Sequence, residues 1–553
     1  MVQEFTPPTS VSESSAKAGP GRGDRPRGGL RKVAMPVGFG VALLVGALAR
    51  FDRIAGSSLW HDESFSWSLI LYPYADVIRR TAIDVHPPLY YLILKAWVGV
   101  FGDSVFAMRG LSALLGLGTL AVLGPFAASL CEAWARGPGR RGSAYDGVGL
   151  FATALFALNA FVLFHAREVR MYPLGGLLAV LSSWALWRGV RGEGRALANW
   201  SAYALTATGL LYTHNYGVFT VAAQALFAAG SLLRRGSMTD EAPPRTPNLA
   251  PAALAFLAIA LAYAPWLPVL IRQRQQVAES YYTQALDAEV VCGVLEQLFL
   301  DKRESRHPLA GGTAAVLVAA VLGGLLFRPR PADAYLFLLA GLPLLAGVAL
   351  SLAQGRDVLI GRCLYFSVPF FAVAVARLVA RIPDRPLALA VGALLAGMSA
   401  APWLAGRLAD DEAATPGLPE AARSILLRSR PGDVAFTADS DGYMGMRYYA
   451  RGLPVRLLTD REAALDHFRA AAVIPDDAVV TRRRLAETEA ERAWLVTTGI
   501  RPDGRSWIPR DWSSAWSERF ADSAPHRSHT FVELFLTGSA RHVDLAPLAR
   551  DER

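Results

Sequence analysis

The sequence predicts an α-helical integral membrane protein with a small α/β domain at its carboxy terminus. Three observations carry that prediction. The 553 residues are 53% hydrophobic and 19% charged, below the quarter or so that soluble chains carry. Mean hydropathy is positive, at +0.28. Apolar runs approaching the roughly 20 residues needed to cross a hydrocarbon core recur as far as about residue 405 and then stop.

Residues 1–32 are rich in Ser, Pro, Gly and Arg with little apolar surface to bury, so a disordered cytoplasmic arm is expected. The run Val33–Ala49 ends in Ala47-Leu48-Ala49, which looks like a signal-peptide cleavage site. An uncleaved first span is expected instead, because many spans follow. Eleven apolar segments, centred near Gly40, Leu117, Leu155, Leu181, Thr206, Leu226, Ile259, Leu317, Ala340, Phe371 and Leu394, make residues 33–405 the membrane domain. A further run, Leu89–Phe101, is short and holds Lys95 in its middle, which suits a helix lying at the interface.

Charge placement decides that choice. With Leu89–Phe101 flat, the clusters Arg136/Arg140/Arg141, Arg188/Arg191/Arg195, Arg234/Arg235, Arg328/Arg330 and Arg381/Arg385 all share a side with the basic amino terminus. If it spanned, all five would face outward. The net charge of +9 is therefore largely an orienting signal in a plasma-membrane protein, and nucleic acid is not an expected partner. The amino terminus is expected inside and residues 406–553 outside. Strands are expected there at Asp433–Thr437, Trp494–Thr498 and Thr530–Phe535, with helix over Glu462–Ala471. Cys131, Cys292 and Cys363 are widely spaced and define neither a disulfide framework nor a zinc motif.

This topology gathers on the outer side a set of polar residues that orientation does not explain: Trp60-His61-Asp62-Glu63, Asp84-Val85-His86-Pro87-Pro88-Leu89-Tyr90-Tyr91, His165 to Tyr172, Tyr212 to Tyr216, and Gln354 to Arg362. Each has an ordinary reading alone. Asp62 and Glu63 suit a helix first turn, His86 a turn before two prolines, and Arg167 and Arg170 could snorkel to lipid phosphate. His214 reads singly as a helix-end histidine, and tyrosines are common at interfaces. Their joint placement at one boundary instead suggests chemistry on a polar headgroup.

The strings Leu59-Trp-His-Asp-Glu63, His86-Pro-Pro-Leu-Tyr-Tyr91, Phe101-Gly-Asp-Ser104 with Arg109, Arg167-Glu-Val-Arg-Met-Tyr172 and Tyr212-Thr-His214 resemble, in order and spacing, the membrane glycosyltransferases of family 39. That family is similar to the protein O-mannosyltransferases and the lipid A aminoarabinose transferase. The resemblance spans about residues 33–405; beyond it only Pro431-Gly-Asp433 and Arg447-Tyr-Tyr449 look familiar. It implies a GT-C fold, a polyprenyl-phosphate sugar donor and an outward-facing site. It further implies Asp62 as catalytic base with Glu63 as supporting or alternative base, and Arg167, Arg170, His86 and Arg362 on the donor phosphate. A tyrosine usually follows the last of these in the family, whereas here Cys363 does. His61, Tyr90, Tyr172 and His214 are the remaining pocket candidates.

These residue types suit the chemistry. A polyprenyl phosphate leaves as a phosphate monoester with a second pKa of about 6, so a general acid is dispensable and one base suffices. Adjacent Asp62 and Glu63 on a helix point about 100° apart and cannot flank one glycosidic bond as a glycosidase requires. Arg167 and Arg170 share a face if their turn is helical. Attack by an activated hydroxyl would invert the anomeric centre. The spacing of Asp62, His61 and His86 leaves a divalent metal open. The acceptor could be a glycan, a lipid or a protein hydroxyl. A flippase without chemistry is the alternative, predicting inverted repeats and broken spans, and a sensor built on the external domain is a third reading.

Overall fold

The computed structural model describes residues 27–135, 145–235, 249–280, 286–300, 308–408, 417–459, 470–485, 487–499, 508–521 and 529–537. The first helix, α1 (Arg27–Phe51), begins inside the expected arm, so the arm's last residues are helical and 1–26 lie outside the described residues. Three short helices follow: α2 (His61–Ile70), α3 (Tyr74–Thr81) and α4 (Leu89–Phe101). The 13 residues of α4 rise about 20 Å, well short of a hydrocarbon core of about 30 Å. Next come α5 (Val105–Ala135), α6 (Tyr145–Leu158), α7 (Ala160–Ala166), α8 (Tyr172–Arg191), α9 (Ala196–Leu211) and α10 (Gly217–Arg235). The membrane part continues with α11 (Leu249–Tyr263), α12 (Leu267–Ser280), α13 (Ala288–Leu300), α14 (Pro308–Leu326), α15 (Pro331–Gln354), α16 (Val368–Val379) and α17 (Arg385–Leu408).

All eleven expected span centres fall within helices. By length and composition five described segments can each cross a membrane: Val105–Cys131, Leu249–Gln276, Pro331–Gln354, Gly361–Val379 and Arg385–Ala405. A sixth candidate is the pair α6 and α7, bent by 64° at Asn159. The chain is a multi-pass membrane protein. The bend is built by Asn159, whose side chain accepts from the Val162 amide at 2.9 Å and donates to the Leu298 carbonyl at 3.0 Å. It thereby starts α7 as a new helix.

Segment Gly361–Val379 opens as a 3-10 turn (Gly361–Ser367) and carries an arginine near each end. At the end remote from α2, Arg377 Nη2 lies 2.9 Å from Asp333 Oδ1 on the first turn of α15. At the other stands Arg362. The route there is set by Gly355, which ends α15 at φ 63°, a left-handed conformation that favours glycine. Of the orienting clusters, Arg136/Arg140/Arg141 lies outside the described residues, as do the side chains of Arg234 and Arg235.

The carboxy-terminal domain contains α18 (Leu418–Arg428), β1 (Val434–Thr437), α19 (Ser440–Tyr449), β2 (Val455–Thr459), β3 (Val479–Thr481), β4 (Arg492–Gly499), β5 (Ser513–Ala521) and β6 (His529–Leu536). All three expected strands are present, as β1, β4 and β6. The sheet order is β3-β2-β1-β4-β6-β5, parallel from β3 to β4 and antiparallel beyond. Nearly all of the expected helix Glu462–Ala471 lies outside the described residues. Trp494 is fully buried and donates to Asp433 Oδ2 at 2.8 Å, so Asp433 of Pro431-Gly-Asp433 holds the sheet to the turn before β1. The domain rests on the turn between α4 and α5 and on α2: the Tyr448 hydroxyl donates to the Asp103 carbonyl at 2.9 Å, Arg451 meets the Asp103 carboxylate at 2.7 Å, and the Tyr448 ring packs edge-on to Trp67 of α2 with centroids 5.1 Å apart.

Candidate active site

At the start of the short helix α2 the Glu63 side chain reaches back to accept the Trp60 amide at 3.3 Å, the half of a capping box open to an N-cap tryptophan, and two acidic residues occupy the first turn. That start fixes two carboxylates in different surroundings. Glu63 is fully buried, and its oxygens take Arg109 Nε and Nη2 at 2.8 and 2.6 Å together with the Val169 amide at 2.9 Å. Arg109 spends its remaining donors on the carbonyls of Ile54, Ser57 and Ser58. A carboxylate so sealed and saturated cannot take a proton from an acceptor. The alternative-base role expected for Glu63 does not fit its placement.

Asp62 faces an arginine pair instead. Its Oδ2 lies 3.0 Å from Arg362 Nη1 and 3.7 Å from Arg170 Nε. Burial pushes its pKa up, but Arg170 and Arg362, with His61 and His86, outweigh that and hold it down at about 2. Arg170 is itself buried, touching the Tyr91 hydroxyl at 3.3 Å and His86 Nε2 at 3.4 Å. On its other side the His86 ring sets Nδ1 3.3 Å from Asp84. Asp84 can only accept and Arg170 can only donate, so His86 carries its proton on Nδ1. Burial lowers the His86 pKa, against the Asp84 hydrogen bond.

His214 packs edge-on to His86, ring centroids 5.5 Å apart, and accepts the Tyr216 amide on Nδ1 at 3.1 Å. Burial first, and then the neighbouring guanidinium charges of Arg170 and Arg362, keep it well below the usual histidine range. Its Nε2 and the Tyr172 hydroxyl are buried with no hydrogen-bond partner among the described residues. The two rings stand 6.0 Å apart. His61 lies at the rim, Nδ1 3.9 Å from Asp441 of the carboxy-terminal domain.

The structure thus brings together Asp62, Arg170, Arg362, His86, His214 and Tyr172. Arg167 stands apart, donating to the carbonyls of Asp52 and Arg53 at 2.8 and 3.3 Å. Helix α7 ends at Ala166 and residues 167–170 turn, so the two arginines share no helical face. The Tyr90 hydroxyl meets Ser112 Oγ at 3.1 Å, tying α4 to α5, while Tyr91 reaches Arg170. Asp84 and Tyr91 stand within the external strings but receive no role from the sequence, and Asp441 is not singled out at all. Tyr91 had a signal, being adjacent to a chosen tyrosine, but a pair about 100° apart gives no basis for choosing before the helix is placed.

Among the described residues no group of three or more His, Cys, Asp or Glu could hold a metal ion. Both His86 nitrogens are engaged and Asp62 is paired with guanidinium, so the residues near Asp62 do not fit a metal as placed. An apolar cavity of about 350 Å³ lies between α6, α14, α16 and α17, lined in part by Phe156, Leu317, Phe371 and Leu395. Its wall reaches the site through aromatic rings, Phe156 to Tyr365 at 6.4 Å and Tyr365 to Tyr172 at 6.3 Å.

Fold and site together define a multi-pass membrane protein with a buried charged cluster where α2 meets the turn before α8 and the start of segment Gly361–Val379. Among solved structures the chain is similar to ArnT from Cupriavidus metallidurans bound to undecaprenyl phosphate, at 14% identity and TM-score 0.43, covering 90% of this chain and 98% of that one. It is also similar to the archaeal oligosaccharyltransferase AglB from Archaeoglobus fulgidus in complex with an inhibitory peptide and a dolichol-phosphate, at 11% identity and TM-score 0.49, covering 85% and 70%. A third likeness is to the arabinofuranosyltransferase AftD from Mycobacteria, at 16% identity and TM-score 0.47, covering 92% of this chain and 42% of that one. No family model and no curated protein matches the sequence.

Proposed function

We propose that the chain is an inverting membrane glycosyltransferase of the GT-C type, moving a monosaccharide from a polyprenyl-phosphate donor to an acceptor hydroxyl on the outer face of the plasma membrane. The observation that carries this reading is the Asp62 carboxylate held between Arg362 and Arg170 at 3.0 and 3.7 Å. Two guanidinium groups are a site for a doubly charged phosphate leaving group, and the carboxylate between them is the base. The apolar cavity beside α16 suits the first isoprene units of the lipid.

Asp62 is a weak base while both arginines face it, since a general base works best near the operating pH. An arriving donor phosphate offers those arginines a second anion and adds negative charge beside Asp62. Both effects raise the carboxylate's pKa. Donor binding therefore readies the base. His86, neutral and fixed by Asp84, orients Arg170, while the unpartnered Tyr172 hydroxyl and His214 Nε2 are left for sugar or phosphate oxygens. Glu63 serves as an internal clamp. In this reading the amino terminus is cytoplasmic and the carboxy-terminal domain external.

The flippase reading draws on the 64° bend between α6 and α7. Its break is already capped by Asn159, however, and the charged groups collect around α2. Full-length protein in lipid nanodiscs, supplied with polyprenyl-phosphate sugars and with envelope glycans, lipids and proteins as acceptors, should release polyprenyl monophosphate as the sugar passes to an acceptor hydroxyl. Lipid movement without release would favour the flippase. Mass spectrometry of envelope glycans and lipids from cells lacking the gene should reveal a lost glycoform, and an unchanged profile counts against the proposal.

A further inference from the structure

The segment leading into Asp62 has an unusual backbone account. Its carbonyls at Ile54, Ser57 and Ser58 go to Arg109, and its Trp60 amide goes to Glu63. The amide between them, at fully buried Leu59, donates to the hydroxyl oxygen of Tyr449 at 2.6 Å. Tyr449 ends α19 in the carboxy-terminal domain, 390 residues away in sequence. Buried backbone donors are almost always paired, and this one is paired only by crossing between domains.

The rest of α19 reinforces the contact. Asp439 caps its start by accepting the Gly442 amide at 2.7 Å, and the same carboxylate takes the Thr498 hydroxyl at 2.8 Å, fixing the helix to β4. Its far end is fixed by Tyr448 and Arg451 on Asp103, whose carboxylate also accepts Trp67 Nε1 of α2 at 3.0 Å. Burial raises the Tyr449 phenol's pKa, so its hydroxyl stays protonated.

We infer that Tyr449 is a positioning residue for Asp62, and that the carboxy-terminal domain is thereby part of the catalytic unit. This rests on the glycosyl-transfer reading above. Residues 54–60 are gripped by Arg109 and Glu63 from the membrane part and by Tyr449 from the external domain, and Asp62 begins two residues later. It accounts for the Arg447-Tyr-Tyr449 string, to which the transfer chemistry gives no role of its own.

The test compares full-length wild type, Tyr449→Phe and Tyr448→Phe in lipid nanodiscs. Hydrogen–deuterium exchange at Leu59–Trp60 should accelerate about tenfold in Tyr449→Phe and not in Tyr448→Phe, with both variants melting near wild type. Polyprenyl monophosphate release by Tyr449→Phe should fall at least about tenfold in kcat with donor KM unchanged, as misplacement of a base requires. Unaltered exchange would overturn the clamp, and faster exchange with full kcat would overturn the positioning role. If wild type releases nothing from any donor in the presence of envelope glycan, lipid and protein acceptors, the glycosyltransferase reading falls, and the exchange arm still decides whether Tyr449 holds the segment.

Discussion

Arg362 Nη1 stands 3.0 Å from Asp62 Oδ2 across 300 residues of sequence, joining the start of a membrane segment to the first turn of α2. The pair gives the site its polarity. It is only partly buried, with the Arg362 side chain 35% exposed, so an incoming anion can reach the guanidinium without the membrane part opening.

Replacing Arg362 with Ala should weaken donor binding more than it slows transfer. A charge-assisted hydrogen bond is worth about 1.5–3 kcal/mol, so affinity for a radiolabelled polyprenyl phosphate should fall roughly 10- to 150-fold. Arg362→Lys should recover part of this, because ammonium keeps the charge and loses the planar fork. Unchanged lipid binding in both variants would remove Arg362 from the phosphate grip.

Glu63→Ala should act on stability. Breaking a buried ion pair by removing one partner costs about 3–5 kcal/mol, because the other charge is left uncompensated. Thermal unfolding in detergent should drop clearly for Glu63→Ala and for Arg109→Ala, with the double variant losing less than the two singles added. A Glu63→Ala protein that melts normally and fails only in turnover would restore Glu63 as a base.

Acid should destabilise the protein through its histidines. His86 and His214 have folded pKa values below 6.5, so the unfolded chain binds protons that the folded one refuses. Their contribution is full above the unfolded pKa and is lost as pH falls through 6.5 toward the folded values. Asp62, depressed to about 2, contributes above the unfolded carboxylate pKa of about 3.9 and loses that only as pH falls toward 2. Melting temperature should therefore fall from pH 7 to 5, less steeply in His86→Gln and in His214→Gln; equal slopes would contradict it.

Much of the arrangement was legible from residue order. The bounds of α4 follow from Pro88, thirteen apolar-rich residues and Gly102, and the strands β1, β4 and β6 from short β-branched and aromatic runs between charged stretches. Asp62, Arg170, His86 and Arg362 stand out in the sequence as polar residues gathered at a membrane boundary, and the roles expected for them rest on the resemblance to family 39. What the sequence hid is which of two neighbours faces the site. Glu63 beside Asp62, Tyr91 beside Tyr90, and Arg167 near Arg170 are separated only by the local path of the backbone, and the turn at 167–170 carries no periodic signal. The Leu59–Tyr449 contact is a backbone donor meeting a distant side chain, and no residue pattern encodes it.

The central claim is that Asp62 is the base of a sugar transfer from a lipid phosphate, and Asp62→Asn tests it most directly. The amide is near in size and cannot take a proton, so transfer measured as polyprenyl monophosphate release should fall about 10²- to 10⁴-fold while the variant inserts, stays folded at the assay temperature and binds polyprenyl phosphate at least as well as wild type. Asp62→Asn turning over at the wild-type rate would contradict the account.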